Sequence, residues 1–213
     1  MTTLTAGTYE RGFRGVWTAL VVNLLVAVAA SPLLLALGLV EDPLAAVPFF
    51  AVLSCVCGPA LLGASGAFAA DDRPARAFLT AYRQGFLRGL ALWAIGAAVL
   101  GMLAVDVVGA VSGEVAFARP LLPMFVVLAV LVVAVLPYAF VAPREVPLGA
   151  TLRAAAVVAL RRWYLSALNL LVLAVLVGVL LVKPGIGVLV ACAPLLYVVW
   201  SNARYALTPQ EDR

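Results

Sequence analysis

Residues 120–141 read PLLPMFVVLAVLVVAVLPYAFV, twenty-two positions without a charge, held between Arg119 and Arg144. A helix of that length rises about 33 Å, enough to cross the ~30 Å hydrocarbon core of a bilayer. Working outward, the same pattern recurs. Apolar runs cover about 15–40, 43–70, 89–111, 164–182 and 186–206, each stopped by a charged or Pro/Gly-bearing turn: Glu41-Asp42-Pro43, Asp71-Asp72-Arg73-Pro74 and Lys183-Pro184-Gly185 among them. The reading is a single all-α membrane domain over 1–213 with six transmembrane helices.

Composition agrees. Of 213 residues 66% are hydrophobic and 11% charged, and the mean hydropathy is +1.16; a water-exposed surface needs more charge than that. The apolar core of 15–40 is longer than a signal-peptide core, which predicts a retained helix. The net charge of +4 belongs to membrane flanks rather than to nucleic-acid binding, because the basic residues are sorted by side. Twelve of the fourteen Arg and Lys fall on one set of loops and tails; only Arg119 and Lys183 fall on the other. The rich side is cytoplasmic by the positive-inside rule. That predicts a bacterial inner-membrane, multi-pass protein with both termini in the cytoplasm. Trp17, Trp93, Trp163 and Trp200 lie toward the cytoplasmic ends of their spans, as an interfacial aromatic belt would.

Two cytoplasmic connections carry helical periodicity. Over about 75–88, Phe78, Tyr82 and Phe86 share one face, with Arg76 and Arg83 on another. Over about 147–162, Leu148, Leu152 and Leu160 supply an apolar face beside Arg153, Arg161 and Arg162. Both are expected to be amphipathic helices, with Arg76, Arg83, Arg88, Arg161 and Arg162 meeting anionic lipid headgroups or docking a partner. An offset of 74 residues superposes Arg88 on Arg162, a hint of an internal parallel repeat.

Candidate chemistry is sparse. Histidine is absent, which removes the commonest general base and metal ligand. Cys55, Cys57 and Cys192 lie inside apolar runs. Cys55 and Cys57 point about 200° apart on a helix, so they read as packing residues and not as a metal or disulfide pair. Gly58-Pro59 interrupts the second span; a broken helix either exposes carbonyls to a substrate or makes a packing kink. Asn23 and Asn169 are amides inside the first and fifth spans, interhelical glue or contacts to a small solute. Asp106 is the one carboxylate reached from within a span, expected at the outer interface. Ser54 and Cys55 have no base beside them in sequence, and Asp71-Asp72 reads as a solvated helix stop. No cofactor, metal or catalytic residue is implied.

One resemblance bears on function. Gly58-Pro59-Ala60-Leu61-Leu62, Arg76-Ala77-Phe78 and Ala81-Tyr82-Arg83 with Phe86 and Arg88, followed by an apolar run to Asp106, resemble the YesL-like family of bacterial membrane proteins. Asn23-Leu24-Leu25 resembles that family's opening helix. The match covers roughly 10–110; the second half agrees in hydropathy and span count. The family's association with carbohydrate-uptake genes implies an accessory role in transport. The expectation is therefore a non-enzymatic accessory or scaffold protein in the lipid bilayer, associated with a transporter subunit or a second copy of itself. The alternatives are a small homo-oligomeric solute transporter or channel, marked by the Gly58-Pro59 break and the two asparagines, and an intramembrane enzyme.

Overall fold

The computed structural model describes residues 3–40, 46–70, 72–112 and 116–208. Among them the regular structure is entirely helical: α1 (Thr3–Leu39), α2 (Val47–Ser54), α3 (Cys57–Ala69), α4 (Pro74–Gln84), α5 (Phe86–Ser112), α6 (Leu122–Val141), α7 (Leu148–Arg161), α8 (Trp163–Val182), a single turn α9 (Pro184–Ile186) and α10 (Cys192–Leu207). A 3₁₀ segment precedes α6, and a π-helical segment, Gly187–Ala191, precedes α10. Six stretches are long and apolar enough to cross a membrane: Arg14–Ala36, Val47–Ala69, Phe86–Ser112, Arg119–Val141, Trp163–Val182 and Gly187–Leu207. The expected class, six apolar spans plus two amphipathic helices, is the one observed. The turn expected at Glu41-Asp42-Pro43, together with Asp71 and Arg213, lies outside the described residues.

The boundaries differ where local chemistry intervenes. α4 opens with Pro74 in its first turn, where a missing N–H costs nothing, after Arg73 in a left-handed conformation (φ 53°) that reverses the chain. It ends at Gly85, whose N–H bonds to the Ala81 carbonyl. The helix expected over 75–88 thus stops at Gln84, and Arg88 belongs to the third span. The aromatic stripe forms as expected: Phe78 stacks on Tyr82 at 6.1 Å, and Tyr82 meets Phe86 at 5.7 Å. In α7 the inward face is Thr151, Ala155 and Ala159. Leu160 is exposed beside Arg161.

Packing explains the glycines. α3 touches α1, α4, α5, α6 and α10, and its sequence CGPALLGASGAFA is small enough to allow that. Gly63 lies beneath the Phe78 ring, where a Cβ would stand 2.9 Å from Cζ, and Gly66 faces Ala81. Small residues permit such close approach, which replaces the hydrophobic drive that apolar helices lack in lipid. Phe78 joins Val22, Val26, Ala64 and Ala67 in one buried cluster with residues of α8 and α10. A second cluster joins Leu62, Leu92, Tyr138 and Phe140 to Ala155, Ala159, Ala203 and Ala206.

Candidate functional site

The Gly58-Pro59 break is closed. Pro59 lacks the N–H that would bond to the Cys55 carbonyl. The Gly58 N–H takes that carbonyl instead at 3.1 Å, one of three i→i−3 bonds, from Cys55, Val56 and Gly58, that tighten the junction of α2 and α3. A Cβ on Gly58 would run into the Gly89 carbonyl of α5, and one on Gly89 would stand 2.8 Å from the Pro59 nitrogen. Two backbones therefore meet at this bend, and both glycines are buried. Of the two readings of the break, the geometry is that of the packing kink.

Asn23 meets a second proline break that the sequence pattern alone did not single out. Pro194 in α10 cannot donate to the Val190 carbonyl. Asn23 Nδ2 donates to that carbonyl at 3.1 Å, and the Ala193 N–H donates to Asn23 Oδ1 at 2.6 Å. The π-helical segment Gly187–Ala191 lies immediately before this patch, as helical irregularities often accompany a lost bond. One amide from α1 thus supplies both a donor and an acceptor to the backbone of the sixth span. The signal was present: a proline inside an apolar run, with an amide in another.

Asn169 behaves differently. Its Oδ1 accepts from Asn202 Nδ2 at 3.1 Å, while its own Nδ2, in a side chain 0% exposed, has no partner. The two asparagines noted in the sequence are not brought together: one joins α1 to α10, the other α8 to α10. A further buried polar link was not anticipated. Ser166 Oγ donates to the Ala159 carbonyl at 2.9 Å, so Tyr138 Oη donates to Ser166 at 3.0 Å, tying α6, α7 and α8 together.

The arginines divide by role. Arg88 Nη1 donates to the carbonyls of Arg144 (2.8 Å) and Val146 (2.7 Å), and Nη2 to the Pro143 carbonyl (3.1 Å) and Thr151 Oγ1 (2.8 Å). A guanidinium presents five donors in a rigid fork, and four acceptors from the 143–151 stretch fill it. Arg162 donates to the Tyr205 carbonyl at 3.1 Å and stands over the Tyr205 ring at 5.5 Å. Arg76, Arg83 and Arg161 are exposed on the outer faces of α4 and α7. Only these three of the five are disposed for contacts beyond the chain.

Between the helices lies a partly open cavity of about 420 Å³, lined from α2, α3, α5, α6, α8 and α10. Its walls are apolar except for two serines and two tryptophans, and the donors of Ser54, Ser65 and Trp93 are engaged. Trp93 Nε1 donates to Ser54 Oγ at 3.0 Å, Ser54 Oγ to the Ala51 carbonyl at 2.8 Å, and Ser65 Oγ to the Leu61 carbonyl at 2.9 Å. Trp93 and Trp200 line this cavity, whereas Trp17 and Trp163 are exposed. Asp106 is exposed on α5, and Asp72 is exposed beyond α3. Among the described residues no three Cys, Asp or Glu side chains gather as a metal site would need. No family model matches this chain, and comparison with curated proteins and with solved structures also returns no match.

Proposed function

We propose that this chain is a non-catalytic accessory component of a bacterial cytoplasmic membrane, its termini cytoplasmic, holding a partner membrane protein through the outward faces of α4 and α7. The observation that carries the reading is the separation of the polar groups. Gly58-Pro59, Asn23 and the Asn169 side-chain oxygen are each engaged at a different helix junction, and the cavity among spans two to six is lined mostly by hydrocarbon. A conduit for polar solutes needs such groups along one path. What remains outward is Arg76, Leu79, Thr80 and Arg83 on α4, with Arg153, Val157, Leu160 and Arg161 on α7. Mixed cationic and apolar faces of this kind suit a partner with acidic and apolar surface at the headgroup level, and also anionic lipid. The resemblance to YesL-like proteins supports an accessory role, and a carbohydrate transporter as the partner rests on that resemblance alone.

Mass spectrometry of what copurifies from native membranes in mild detergent tests the reading. A near-stoichiometric transporter subunit is expected, and Arg76→Glu with Arg83→Glu should release it while the protein stays folded. Arg88 is unsuited to that test because its guanidinium holds the 143–151 stretch. A complex that survives the double substitution, or a chain that copurifies only with itself and carries polar solutes in vesicles, overturns the proposal.

A further inference from the structure

The cavity differs from the rest of the bundle in being lined by five of the six spans, the first excepted, and in having the donors of Ser54, Ser65 and Trp93 already engaged within the chain. Its volume of about 420 Å³ falls within the ~300–1,000 Å³ range of ligand sites. A polar occupant would lose most of its own hydrogen bonds against this wall, at a cost of several kcal/mol. A protein helix is too thick: at about 10 Å width, this volume corresponds to roughly one turn. A slender hydrocarbon chain meets both limits. A charge stands one aromatic ring away from the cavity wall. The Trp200 ring lines it, and the exposed Arg204 guanidinium stands 5.2 Å over that same ring. An occupant with an apolar tail and an anionic head would place the tail along the wall and the head at Arg204.

From this geometry we infer that the cavity is a binding site for one acyl chain of a phospholipid, with the lipid phosphate at Arg204. Burial of the tail against Ala97, Val133, Leu136 and Leu173 supplies the apolar contact, and Arg204 orients the head. The site is independent of the docking faces on α4 and α7.

The arrangement of tryptophans provides the test. Trp17→Phe with Trp163→Phe leaves Trp93 and Trp200, both at the cavity wall, as the reporters. The full-length variant is delipidated in detergent and titrated with phosphatidylglycerol brominated on its acyl chains. Saturable fluorescence quenching at one lipid per protein is expected. Ala97→Phe on α5 and, separately, Val133→Phe on α6 should each weaken it at least tenfold. Arg204→Gln should weaken it about fivefold, the equivalent of one cation near an anionic headgroup. Unbrominated phosphatidylglycerol should restore fluorescence. Quenching that grows without saturation, and equally in both cavity-filled variants, overturns the site. Restoration by a neutral polyprenol but not by phosphatidylglycerol overturns the acyl assignment. If one filled variant does not fold, the other decides.

Discussion

Among the prolines inside the spans, Pro59 and Pro194 leave breaks that are closed by opposite means. At Pro59 the chain repairs itself: a 3₁₀ turn passes the orphaned Cys55 carbonyl to the Gly58 N–H, and the bend is filled by the backbone of Gly89. At Pro194 the chain does not repair itself, and Asn23 from a helix 167 residues away in sequence supplies the missing donor. The first closure needs absence of side chain; the second needs one particular side chain. A helix broken in an apolar bundle must satisfy its backbone groups somehow, and whether it does so locally or through a neighbour decides which substitutions it tolerates.

The sharpest way to break the comparison is at the glycines. Gly58→Leu or Gly89→Leu should cost more than about 3 kcal/mol, because backbone has nowhere to move when overpacked. Thermal unfolding of the purified protein in detergent, followed by circular dichroism, would measure this; a loss under about 1 kcal/mol would mean the two helices can separate at little cost. Arg88→Ala comes next, since the side chain closes loop backbone as Asn23 closes helix backbone. Removing a charged donor from four acceptors should cost about 2–3 kcal/mol. Arg88→Lys should recover only part of it, because an ammonium cannot reproduce the fork; full recovery by lysine would contradict the geometry.

Asn23→Leu should cost about 1–2 kcal/mol. The comparison adds a sign: in a Pro194→Ala background the sixth span can satisfy its own Val190 carbonyl, so the same substitution should cost less. A double-mutant cycle with no coupling would show that Asn23 is not answering the proline. Asn169→Leu should cost less than Asn23→Leu, since its amide nitrogen has no partner to lose. Smallest of all, Arg76→Glu and Arg83→Glu should change stability by under about 0.5 kcal/mol each. A larger loss would mean that the outward face of α4 supports the fold itself.

The contrast also explains what was legible. Span number followed from apolar length, and the Phe78-Tyr82-Phe86 stripe from spacing. Which face of α7 packs inward was less legible, because α7 buries alanines and a threonine rather than its largest side chains. The Gly58-Pro59 motif was visible, but its meaning was not: a kink that lines a path and a kink that seats a neighbouring backbone are the same two letters. Pro194 was equally visible, but only the fold brings the Val190 carbonyl it leaves without a donor to an amide of α1.

Fold class was determined by the sequence alone, because transfer from water into hydrocarbon acts on each segment separately and each run of about twenty apolar residues answers it by itself. The meeting of Gly58 with Gly89, of Asn23 with the Pro194 break, of Arg88 with the 143–151 stretch, and the apolar cavity that five spans enclose were decided only by tertiary structure. Those contacts depend on which helices become neighbours, and in a bundle of nearly uniform hydrocarbon faces that choice is made by shape and by a few hydrogen bonds between residues far apart in the chain.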